Sequence, residues 1–152
     1  MKKFSVGTWI TCLAVVLAVA AFFAYSANVG GEGYYKDASV KNLPLMIWGA
    51  VLCLAAATAL CMLGKDKVIE IVSGILRIAA PCLLAWALMN LIAGRVDGLG
   101  YIFFSNADVA MEVQTAANMG SARTAIWNMG FLGASLLFSI VAAFFSMRKK
   151  NA

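Results

Sequence analysis

The chain has 152 residues, 63% of them hydrophobic and 12% charged, where a soluble domain is roughly 45–50% apolar and about 25% charged. The length fits one domain. Because the apolar residues come in long blocks rather than on one face of amphipathic helices, a lipid solvent follows. The net charge of +5 sits largely at block ends instead of forming a stripe, which excludes a nucleic-acid footprint.

The first block runs from about Phe4 to Ala27 behind Lys2 and Lys3. Its Ala24-Tyr25-Ser26-Ala27 end has the look of a signal-peptide cleavage region, but a signal's apolar stretch is about 7–15 residues. Val6 to Ala24 approaches the roughly 20 that span a bilayer, so a retained transmembrane helix is expected. A loop at 28–42 follows, with Gly30, Gly31 and Gly33 breaking the helix and Tyr34-Tyr35 at the level of an interfacial aromatic belt.

Pro44 opens the second block, about 43–63, near a first turn where its missing N–H costs nothing. Gly49, Cys53, Ala57 and Cys61 recur there at every fourth position, a stripe of small residues on which another helix packs closely. The hairpin at 64–67 is short enough to force the second and third helices to be antiparallel neighbours.

The third block, about 68–93, holds Arg77, then Pro81, and near its far end Asn90. Nine residues from Val68 at about 1.5 Å each put Arg77 roughly 13 Å into the bilayer. A charge at that depth costs about 2.5–3.5 kcal/mol on insertion scales and marks a functional hypothesis. Pro81 removes the N–H that would meet the Arg77 carbonyl, and a broken polar helix of this kind can line a transport path. Against that, helical side chains lean towards the N-terminus, which aims Arg77 at the inner headgroups. Glu70 on a similar face could share a hydrated inner pocket with it.

Residues 94–120 form the long polar segment. Gly94, Gly98 and Gly100 predict a turn before Tyr101-Ile102-Phe103-Phe104, and Ser105-Asn106-Ala107-Asp108 has the form of a capping box. A short amphipathic helix on the membrane surface is expected from about Asn106 to Met119, with Gly120 separating it from a last span at about 121–147. In that span Gly130/Ala134 and Ser135/Ser139/Ala143 repeat the small-residue spacing. Asn90 and Asn128 lie within the outer halves of the third and fourth helices and could hydrogen-bond one another across the bundle.

Lys2, Lys3, Lys65, Lys67, Arg148, Lys149 and Lys150 fall on one side, and Lys36, Lys41, Arg95 and Arg123 on the other. Seven against four favours both termini inside the cell. The expected fold is thus an all-α, antiparallel four-transmembrane-helix bundle in the plasma membrane, N-in and C-in, with one extracytoplasmic amphipathic helix.

Chemistry is scarce. His is absent, which removes the commonest metal ligand and general base, and Cys12, Cys53, Cys61 and Cys82 sit inside apolar blocks as small hydrophobes. Asp97, Asp108 and Glu112 offer a weak hard-cation pattern without a calcium loop. No catalytic residue, metal or cofactor is expected. A four-helix drug exporter needs an acidic residue deep in its first helix, and Phe4 to Ala27 has none. The leading expectation is a non-enzymatic scaffold or accessory subunit, partnered by lipid and by another membrane chain or itself, with no nucleic acid. Its partner surface would be Tyr34, Tyr35, Tyr101, Phe103, Phe104, Asp108 and Glu112. The rival is a small-solute transporter or channel subunit with a polar path near Arg77, Pro81, Asn90 and Asn128.

Overall fold

The computed structural model describes residues 5–63 and 66–145; of the basic block ends, Lys2, Lys3, Lys65, Arg148, Lys149 and Lys150 lie outside them. Among the described residues the chain forms six helices: α1 (Val6–Gly30), α2 (Leu43–Leu63), α3 (Lys67–Ala93), α4 (Val96–Phe104), α5 (Ala107–Val113) and α6 (Ala116–Phe144). Four stretches, Val6–Gly30, Leu43–Met62, Lys67–Phe104 and Ala116–Phe144, are long and apolar enough to cross a membrane. The third of these turns at Gly94 and Arg95.

Side chains are sorted by size as much as by polarity. The core buries Ala14, Ala18, Ala21, Ala50, Ala80 and Ala87, while Trp9, Val16, Phe23, Leu45, Ile78, Met89 and Leu137 point outward. Small residues inside bring backbones close, and large apolar residues outside suit a lipid solvent.

The most extensive contact joins α1 to α6, followed by α2 to α3; α3 also packs on α6, and α1 on α2. On α1 the buried face is Gly7, Thr8, Thr11, Ala14, Ala18, Ala21, Tyr25 and Asn28. On α6 it is Ser121, Ala122, Ala125, Asn128, Leu132, Ser135, Ser139 and Ala142. Both faces follow the alternating three-and-four spacing of a continuous seam. Ser135 Oγ donates to Ala14 O at 2.7 Å and Asn28 Nδ2 to Ser121 O at 2.7 Å. Residue numbers thus rise on one helix as they fall on the other.

The α2 stripe faces α3. A Cβ on Gly49 would lie 3.4 Å from Leu83 Cδ1, Ser73 Oγ donates to Ala57 O at 3.2 Å, and Cys61 Sγ lies 3.0 Å from Ser73 Oγ. Cys53 packs partly buried against the core. The corresponding spacing on α6 behaves differently: Gly130 is exposed with nothing within 4 Å of an added Cβ, and Ala134 is only half-buried. Ser135, Ser139 and Ala142 make the seam instead.

Three boundaries depart from the sequence expectation. Residues 28–30, expected in the loop, lie within α1, which carries on past the expected end at Ala27 to Gly30. The expected turn before Tyr101 is helix α4, despite Gly98 and Gly100 inside it; packing of Ile102 against Val113 and Ala122 overrides the low helix propensity of glycine. The expected surface helix 106–119 is divided. Asn106 caps α5, accepting from Val109 N at 3.2 Å, and α5 ends at Val113, whose carbonyl takes the Asn118 Nδ2 at 2.7 Å. Thr115 then caps α6 by accepting from Asn118 N, so Gly120 lies inside the last long helix rather than before it.

Candidate functional site

Two arginines carry the chain's unusual chemistry. Arg77 stands on α3, which continues as helix through Pro81. Its Nη2 donates to the carbonyls of Ala142 and of Phe145, the latter at 2.6 Å, while its Nε is buried without a protein partner. A cation on the carbonyl end of α6 is favoured by the helix dipole as well as by the hydrogen bonds. The side chain therefore ends on the last turn of α6. Glu70 stays exposed in the first turn of α3.

At the other end of α3, Gly94 and Arg95 make the turn into α4. Arg95 is 1% exposed. Its guanidinium carbon lies 4.5 Å from the centroid of the Tyr35 ring and 5.9 Å from that of Tyr25, within cation–π range. Tyr35 Oη donates to Arg95 O at 2.7 Å, and Val40 N donates to Tyr25 Oη at 2.7 Å. These bonds fold loop 31–42 over the arginine. Tyr35 N also donates to Ser121 Oγ at 3.3 Å, tying the loop to α6.

Glycines make that closure possible. A Cβ on Gly98 would lie 2.5 Å from Tyr34 Cε1 and 2.7 Å from both Cε1 and Oη of Tyr35. Gly33, at φ +114° in the left-handed region, would place one 2.5 Å from Ala117 O. Burial, partly offset by the adjacent Arg95 cation, pushes the Tyr35 phenol up to about 12.

Arg95 Nε and Nη2 are buried without a hydrogen-bond partner, and the same is true of Asn128 Nδ2 and Oδ1 and of Asn28 Oδ1. The guanidinium faces rings rather than a carboxylate.

The other candidates are placed as follows. Tyr35 is not part of a surface, being 2% exposed; it is the ring on Arg95. Tyr34 and Tyr101 remain exposed with centroids 6.0 Å apart, Phe103 and Phe104 are exposed on α4, and Asp108 and Glu112 are exposed on α5. Asn90 donates to its own helix at Trp86 O, 3.0 Å, and approaches Met46 Sδ at 3.7 Å. It makes no bond to Asn128. Among the described residues no group of three or more His, Cys, Asp or Glu could hold a metal ion, so Asp97, Asp108 and Glu112 do not converge. From the sequence alone Arg95 counts only among the four basic residues of the outer side, and Gly94 and Gly98 on either side of it are the local signal of a close approach.

An all-helical chain with four apolar stretches of spanning length and a size-sorted core has the architecture of a helical membrane protein. Compared with known proteins, the chain matches no family model, no curated protein and no solved structure.

Proposed function

We propose that this protein is a non-enzymatic scaffold or accessory subunit of a membrane complex, built as an antiparallel bundle of four transmembrane helices in the plasma membrane. The observation that carries the reading is where its polar chemistry goes. Arg77, Ser73, Ser135 and Asn28 each donate to a backbone carbonyl outside their own helix. Side chains committed in this way hold helices together and are not free to serve a substrate. Beyond the packed seams, Phe104 at 87% and Met111 at 90% exposure leave apolar surface on α4 and α5 for lipid or a second chain to cover.

A polar path past Arg77 draws less support, because the Nη2 of that residue is spent on α6. Both termini inside remains the orientation that the distribution of Lys and Arg supports.

The test is mild extraction of the chain at native abundance, followed by native mass spectrometry and identification of what co-purifies. A stoichiometric second chain, or a second copy of this one, is the expected result. A lone monomer that retains the chain's cellular role would overturn the reading.

A further inference from the structure

We propose that Arg95 is the centre of a phosphate-binding site at the α3–α4 turn. Two of its nitrogens, Nε and Nη2, are buried without a hydrogen-bond partner; they form the side-on edge of the guanidinium, with two N–H bonds pointing the same way. That edge matches two oxygens of one phosphate in a bidentate contact. The aromatic neighbours do not compete for it. A ring stacked at 4.5 Å, as Tyr35 is, attracts the cation through its face, while an oxyanion approaches in the guanidinium plane.

A buried cation needs compensation. Among the described residues the shell of Arg95 offers phenol rings and no carboxylate, so the compensating negative charge fits a ligand.

A second donor lies at a neighbouring level. Gly133 facing Leu88 and Ala142 facing Arg77 set the register of α6 on α3. That register puts Asn128 within about one helical turn of Arg95 along the axis. Asn128 is fully buried, and its Nδ2 has no protein partner. Access runs through loop 31–42, whose Tyr35 closes over the arginine by one side-chain bond to Arg95 O and one backbone bond to Ser121 Oγ.

The phosphate could belong to a phospholipid headgroup, since Arg95 lies just beyond the apolar residues of α3, or be free in solution. The site stands independently of the subunit reading: a lone monomer would leave it intact.

The experiment uses the full chain in a neutral detergent, with unfolding followed by tryptophan fluorescence. One arm titrates inorganic phosphate against chloride at constant ionic strength. The other titrates short-chain phosphatidylglycerol against a diacylglycerol of the same chain length. A ligand that binds only the folded state raises the melting temperature in a concentration-dependent way. A saturable rise with inorganic phosphate assigns a free anion, and a rise confined to the lipid arm assigns a headgroup.

Arg95→Lys keeps the charge but loses the fork, and should weaken the apparent affinity about tenfold, equivalent to about 1.4 kcal/mol. Arg95→Gln should abolish the response, and the exposed Arg123→Gln should respond as the wild type does. No saturable rise in either arm, or an Arg95→Lys response equal to that of the wild type, overturns the proposal even if Arg95→Gln does not fold.

Discussion

The carbonyl of Ala142 receives the Phe145 N–H across the last turn of α6 at 3.2 Å and takes Arg77 Nη2 as a second donor. Hydrogen bonds to a charged group contribute about 1.5–3 kcal/mol. Arg77→Leu should therefore lower stability by about that amount in a mixed-micelle unfolding titration, with Arg77→Lys in between. Unchanged or higher stability of the leucine variant would remove Arg77 as the cap of α6. Tyr35 gives a separate signature. Its phenol titrates at about 12 instead of 10.0, so between those values the folded chain holds a proton that the unfolded chain has released. The stability this contributes is fully present below pH 10 and is lost as pH rises through the folded value. The difference in stability between wild type and Tyr35→Phe should be flat up to about pH 10 and change only above it, measured as melting temperature across an alkaline series.

Among the elements, α1 and α6 depend most on small side chains. Ala18 is 0% exposed in the seam, so Ala18→Leu must force the helices apart at a cost of about 1–3 kcal/mol. Gly130 has open space where its Cβ would be, and Gly130→Ala should stabilise by about 0.5–1 kcal/mol through helix propensity alone. Melting temperatures moving in the same direction for both variants would contradict this assignment of faces. The contrast also explains what was legible in the sequence. The α2 stripe could be read because Gly49, Cys53, Ala57 and Cys61 interrupt larger residues at a fixed interval. The same interval at Gly130 and Ala134 marks a face that the described helices leave open at Gly130, because spacing identifies a face without identifying a partner. On α1, alanines occur all round the helix, so nothing local selects the ones at 14, 18 and 21. Helix α4 and the α5–α6 break depend on contacts such as Ile102 with Val113 and Gln114 Nε2 with Ile102 O. Those form only after the chain has folded back. Arg95 follows the same logic: an arginine between glycines reads as loop until loop 31–42 closes on it.

For the whole molecule, the contacts of α1 with α2, α2 with α3, α3 with α6 and α6 with α1 describe a ring of four neighbours. With all four stretches crossing the bilayer as proposed, such a ring would put the α2–α3 connection on one side and α4 and α5 on the other. Which side is which depends on the basic residues, through the cost of moving Lys and Arg across the membrane. Asp66 precedes α3 and is exposed, and Glu112 is exposed on α5, so single cysteines at these positions report on opposite faces. In a background with Cys12, Cys53, Cys61 and Cys82 replaced, Glu112→Cys should react with a membrane-impermeant maleimide in intact cells. Asp66→Cys should react only after permeabilisation. The reverse pattern would put both termini outside and place the Arg95 turn at the cytoplasmic leaflet. Labelling of both in intact cells would break the four-crossing arrangement itself, because the single span between the two sites, Lys67–Phe104, must put them on opposite faces.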